Sequence, residues 1–264
     1  MKNKIYTLII LSITLSLFTI NYMNLNNSPK EKKSKKKLQI INSDPAYKIY
    51  DYYLFSVQWG SSMCLNYGSG CEEALKKIPK HHISIHGLWP SLLSGKRIPV
   101  CNSGTEIDII EDDSEIFSKM NKYWVSLSGK GNKVFWDHEY NKHGYCYNQR
   151  LDIDVNDYKK YFEKTMEIFE DYNLGNLIIN ALKIDDSFIG EKSYSYKDLY
   201  NKIKDILGID NFAFSCIKVK RNSNTKKQYL SEIRIPIGLD FKLYKGKLQN
   251  GGSCSSKTDI NLIF

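Results

Sequence analysis

The chain has 264 residues, 42% of them hydrophobic and 13% aromatic, which excludes a disordered polypeptide and allows one domain or two small ones. Its net charge of +9 is unevenly placed: residues 1–37 hold eight lysines and one glutamate, leaving +2 for residues 38–264. That excludes a folded part gripping duplex nucleic acid through broad positive charge, though not a local basic site.

Residues 1–24 read as a signal peptide or signal anchor. Lys2 and Lys4 precede an apolar run from Ile5 to Ile20, whose length suits a signal segment better than a full membrane span. No small-residue cleavage site follows, so an uncleaved anchor is the alternative. Residues 25–46 read as a lysine-rich, solvated linker around Lys30–Lys37. They hold the one N-x-[ST] sequon, Asn26-Asn27-Ser28. A catalytic domain is expected over 47–264.

Tyr50–Trp59 is rich in aromatic and β-branched residues and predicts a strand. A second strand is predicted over Ile83–Leu88, closed by Pro90. Helices are predicted over 113–127, 156–172 and 174–182, the second from apolar or aromatic positions at Tyr158, Tyr161, Phe162, Met166 and Phe169. Ser195-x-x-Asp198 resembles a capping box that opens a helix to Leu207, stopped at Gly208. Strands are predicted over Phe212–Lys220, Tyr229–Ile237 and Phe241–Tyr244, with a polar turn at Arg221–Lys227. Strands early, helices in the middle and strands late give an α+β fold with a central antiparallel-rich sheet packed with several helices.

Six cysteines, Cys64, Cys71, Cys101, Cys146, Cys216 and Cys254, contain no C-x-x-C pair. An even count behind a signal segment points to disulfides rather than metal, without fixing their pairing. It also points to a secreted or endomembrane (lysosomal-type) location.

All five histidines fall in two windows, 81–86 and 138–143. Histidine is the usual proton carrier near neutral pH. On a helix, Glu139 and His143 share one face, and His138 and Lys142 line the neighbouring stripe. A solvated charged face is the plainer reading, but the flanking Phe135, Trp136 and Tyr140 suggest a packed segment. His86 lies in an apolar run, and either it or Trp89 alone would more often be core. A zinc protease would need histidines four apart. His138 and His143 are five apart, roughly 140° around a helix, a poor geometry for joint ligation. There is no G-x-S-x-G nucleophile setting.

Two segments, His86-Gly87-Leu88-Trp89-Pro90 and Phe135-Trp136-x-His138-Glu139-x-x-Lys142-His143-Gly144-x-Cys146, resemble the active-site segments of the ribonuclease T2 family in content, order and separation. Gln58-Trp59 followed by Cys64 resembles its first core strand. The resemblance implies an endoribonuclease, a monomer without metal or cofactor, that cleaves single-stranded RNA, not DNA, through a 2′,3′-cyclic phosphate. It makes His143 the base and His86 the acid, with Glu139 and Lys142 stabilising the phosphorus centre and His138 on phosphate. Trp89 and Phe135 would hold the bases either side of the cut. It also implies the pairs Cys64–Cys71, Cys101–Cys146 and Cys216–Cys254. No stable membrane association is expected unless the signal segment stays uncleaved. Ser91 stands where the family often has Asp, Tyr140 where it has Trp, Tyr145 where it has Thr and Gly60 where it has Pro. His81 and His82 lie outside the motif and are expected at the surface. The alternative is a non-catalytic RNA-binding or cytotoxic protein on the same fold.

Overall fold

β1, Tyr52–Trp59, is buried along its whole length, as a central strand should be. The computed structural model describes residues 50–76, 78, 83–96, 98, 106–184, 190–222, 225–246 and 252–264. The expected leader, linker and sequon, His81, His82 and Cys101 lie outside the described residues.

β1 is followed by two short helices, α1 (Gly60–Tyr67) and α2 (Ser69–Leu75), joined by the Cys64–Cys71 disulfide. Next come β2 (Ile83–Ser91), α3 (Glu115–Tyr123) and α4 (Asn132–Glu139). A π-helical turn, Tyr140–Gly144, leads straight into α5 (Tyr145–Arg150). Then follow α6 (Lys159–Asp171), α7 (Leu174–Ala181), β3 (Glu191–Tyr194) and α8 (Tyr196–Leu207). The chain closes with β4 (Ala213–Asn222), β5 (Thr225–Ile237) and β6 (Ile260–Ile263). The six strands form one sheet in the order β2-β1-β5-β6-β3, with β4 on the other edge of β5. All pairings are antiparallel except β5 with β6.

Local chemistry accounts for several boundaries. Ser195 Oγ accepts the Asp198 backbone N–H, and Gly208 ends α8 with φ of 65°. On α6, Tyr161, Phe162, Thr165, Met166, Ile168 and Phe169 form the buried stripe that the spacing predicts.

Some expectations are corrected. β2 does not close at Pro90 but continues to Ser91, with Pro90 opposite Tyr53. As an edge strand it tolerates a residue with no N–H. Phe241–Tyr244 is not a strand but a turn with one bridge, Ile237 to Leu243. Phe241 has φ of 60°, incompatible with an extended strand. The last strand is instead Ile260–Ile263. The turn between β4 and β5 is shorter than expected, since the strands run to Asn222 and from Thr225.

The register divides the sheet into two faces, because directly paired residues share a side. One face is apolar: Phe55, Val57 and Trp59 lie opposite Leu88, Ile85 and Ile83, with Ile235 and Ile233 beyond Phe55 and Val57 on β5. The other carries a polar row across four strands: Ser84, Gln58, Glu232 and Ser215. Beside it runs a second row, Gly87, Ser56 and Arg234. Ser56 pairs with Gly87 but Val57 pairs with Ile85, so His86 is the extra residue of a β-bulge. The bulge shifts the side-chain phase by one. It lets Ile83, Ile85 and Leu88 all face the core while Gly87 and Trp89 face the polar side.

Candidate active site

The β2 bulge and the α4–π-turn segment bring the two histidine windows together. Trp124 Nε1 donates to the His86 carbonyl at 2.9 Å. The Tyr161 hydroxyl accepts the Leu88 N–H at 3.2 Å and donates to the Leu88 carbonyl at 3.1 Å. These bonds fix the strand between His86 and Trp89. Tyr161 can lie this close to the helical segment because residue 144 is glycine. A Cβ there would fall 2.4 Å from Tyr140 Cδ2 and 2.7 Å from Tyr161 Cδ1.

The segment expected as one α-helix is helical throughout, but a π turn carries Lys142 and His143. The Tyr145 N–H reaches the Tyr140 carbonyl, one residue further than in an α-helix. The two stripes drawn on a regular helix are therefore locally rewound. Glu139 is the innermost group, 1% exposed, whereas His138 and Lys142 face solvent and His143 is half-buried.

His86 lies between two carboxylates. Its Nδ1 is 2.5 Å from Glu232 Oε1, and its Nε2 is 3.7 Å from Glu139 Oε1. Trp89 Nε1 donates to the other Glu139 oxygen at 2.8 Å. The His86 ring meets Trp89 edge-on at 4.9 Å and Phe135 at 5.6 Å; His143 lies 5.4 Å from Trp89 on a tilted ring. Arg234 packs over Trp89 at 5.5 Å. It also donates through Nε and an Nη to Glu232 Oε2, at 2.9 and 2.7 Å. Beside His86 a recess of about 110 Å³ is lined by Gln58, Met63, Tyr67, Ser126, Leu127, Ser128 and Phe135.

The two histidines have opposite electrostatics. Burial works against a charge on His86, but the Glu232 hydrogen bond and the negative charges of Glu139 and Glu232 outweigh it and raise its pKa. Burial lowers the pKa of His143 to about 2, helped by the Lys142 charge and by His86 and His138. Partial desolvation of its ring and the Lys142 charge lower that of His138 too, although its edge faces solvent. Burial raises that of Glu139, against the opposing pull of His86. The two rings are thus pushed in opposite directions, which suits general acid–base catalysis.

All seven sequence-derived residues, His86, Trp89, Phe135, His138, Glu139, Lys142 and His143, fall on these two adjoining segments. Sequence reasoning missed Glu232 and Arg234. Their signal was faint: two charges two apart in a strand otherwise rich in isoleucine. Cys64–Cys71 and Cys216–Cys254 are bonded as the resemblance implies. Cys146 is also in a disulfide, and its expected partner Cys101 lies outside the described residues. Among the described residues no cluster of histidine, cysteine and carboxylate side chains is arranged to hold a metal. None of the described helices is long and apolar enough to cross a membrane.

An α+β fold that gathers two histidines and a buried carboxylate around one tryptophan has the groups an acid–base enzyme needs. The chain belongs to the ribonuclease T2 family, matching it over residues 50–263. It is 33% identical to Ribonuclease 3 of Arabidopsis thaliana over 162 residues, 60% of this chain and 68% of that one. It is 31% identical to Ribonuclease Oy of Magallana gigas over 201 residues, 74% of this chain and 87% of the relative. Among solved structures, an RNase-related protein from Calystegia sepium superposes with a TM-score of 0.60 at 20% identity, covering 82% of this chain and 98% of that one.

Proposed function

We propose that this protein is an endoribonuclease that cleaves single-stranded RNA by transphosphorylation, using His143 as base and His86 as acid. His143 takes the proton of the ribose 2′-hydroxyl, and the 2′-oxygen attacks phosphorus. The bond from phosphorus to the 5′-oxygen breaks, and His86 Nε2 delivers a proton to that oxygen. The products are a 2′,3′-cyclic phosphate and a free 5′-hydroxyl. Lys142 and His138, facing solvent beside the half-buried pair, suit the phosphoryl oxygens. Phe135 and Trp89 are the aromatic side chains available to unpaired bases, with Arg234 already over one part of the Trp89 ring. The recess beside Phe135 adds Gln58, Ser126 and Ser128 as partners for a base edge. The observation that carries this reading is geometric: His86, held between Glu232 and Glu139, and His143 both pack against Trp89 in one site.

The enzyme acts as a monomer in an oxidising, secreted or endomembrane compartment, with residues 1–24 directing export and 25–46 linking to the catalytic domain. The disulfides support that location. The test is a gel assay of purified protein on matched RNA and DNA oligonucleotides in excess EDTA, with analysis of product ends. Cleavage of single-stranded RNA to cyclic phosphate ends, slow attack on duplex RNA and none on DNA are expected. DNA cleavage at a similar rate, or loss of activity in EDTA, would overturn the mechanism.

A further inference from the structure

Glu232 lies in β5, 146 residues from the histidine it touches. It belongs to the polar row of the sheet, opposite Gln58 of β1 and Ser215 of β4. Its carboxylate is divided between two partners. Oε2 receives both Arg234 hydrogen bonds, and Oε1 is left to meet His86 Nδ1 at 2.5 Å. The Glu232 side chain is 7% exposed, so water does not compete strongly for this contact. The Trp124 bond to the His86 carbonyl fixes the backbone of the same residue. Ring and backbone are therefore held independently.

We propose that Glu232 is the positioning residue for His86: it accepts the Nδ1–H, fixes the ring orientation and leaves Nε2 as the atom that gives up the proton. Arg234 acts one step further out, holding the carboxylate by two bonds while it covers Trp89. The charged and titratable groups around His86 are Glu139 and His138 from α4, His143 from the π turn, and Glu232 and Arg234 from β5. Loss of the Glu232 charge leaves Glu139 as the one nearby anion among them. The His86 proton is then held less tightly and the ring is free to turn. The inference rests on His86 being the general acid.

The experiment compares wild type, Glu232→Gln and His86→Ala on two substrates. One is an RNA oligonucleotide, whose 5′-alkoxide must be protonated as it leaves. The other is uridine 3′-(4-nitrophenyl phosphate), whose phenolate leaves without a proton. Glu232→Gln is expected to lower kcat/KM on RNA by roughly 10–100-fold, by analogy with the cost of removing a carboxylate that orients a metal-bound histidine. Its alkaline limb should move to lower pH, and its defect should shrink on the nitrophenyl ester. A wild-type rate on RNA, or an equal loss on both substrates, overturns the role of Glu232. If the His86→Ala defect is equal on both substrates, the reading of His86 as the acid fails instead. Should Glu232→Gln not fold, proton NMR of the wild type decides. A far-downfield Nδ1–H resonance that vanishes in His86→Ala supports the pair, and its absence below neutral pH refutes it.

Discussion

Gly87→Ala tests whether the Trp89–Glu139 contact matters to catalysis. Gly87 does not have a left-handed backbone, so an added methyl acts by volume alone. A Cβ there would fall 2.2 Å from Glu139 Oε2 and 2.5 Å from Trp89 Nε1, inside the 2.8 Å hydrogen bond joining them. Ordinary contact begins at 3.4 Å, so the carboxylate must retreat by about 1.2 Å. Glu139 is 1% exposed and has little room to do so. Overpacking of this kind costs about 1–3 kcal/mol, partly offset by the lower entropy of the unfolded alanine chain, about 0.4–1 kcal/mol. For a domain of this size each kcal/mol lowers Tm by roughly 2–4 °C. A displacement near 1 Å at reacting groups costs on the order of 10²-fold in rate. The expected result is a folded protein, a few degrees less stable, with kcat/KM on RNA down by about 10²-fold. Wild-type kcat/KM in the folded variant would refute the reasoning, since the contact would then be dispensable.

Three further outcomes follow from the site. His86→Ala and His143→Ala should each lower RNA cleavage by on the order of 10²–10⁴-fold with the circular dichroism spectrum intact; near wild-type rates in either would remove that residue from proton transfer. The rate should persist well into the acid range, because burial keeps His143 neutral there, and should fall only above the ordinary histidine pKa, because the flanking carboxylates hold the proton on His86. A kcat/KM profile that collapses below pH of about 6 would contradict those assignments. Non-reducing peptide mapping should find Cys146 joined to Cys101, and a different partner would overturn the pairing that the family resemblance implies.

The candidate site was legible in the sequence where its residues are local in the chain. His86 to Pro90 and Phe135 to Cys146 are continuous segments, so residue type and order suffice to find them. The α8 cap at Ser195 and its stop at Gly208 are likewise local. Glu232 and Arg234 were not legible because their roles depend on register: Gln58 must face Glu232 and Ser56 must face Arg234. The two four-residue strands, β3 and β6, are too short to show alternation, and they exist because β6 pairs with β5 and β3 with β6. The bulge at His86 was hidden for a related reason. Its cause is the need to bury Ile83, Ile85 and Leu88 on one face, which becomes visible only against β1. The π turn leaves no pattern beyond a glycine whose purpose is the approach of Tyr161.

The strand that carries His86 lies at the edge of the sheet, where unpaired backbone groups invite another chain to add a strand. Here three successive outward positions are already blunted. Trp124 covers the His86 carbonyl, the Tyr161 hydroxyl satisfies both polar groups of Leu88, and Pro90 has no N–H to offer. The contacts that hold the His86 strand in place therefore also guard it against intermolecular sheet growth, so a lesion at Tyr161 is expected to lower solubility as well as turnover.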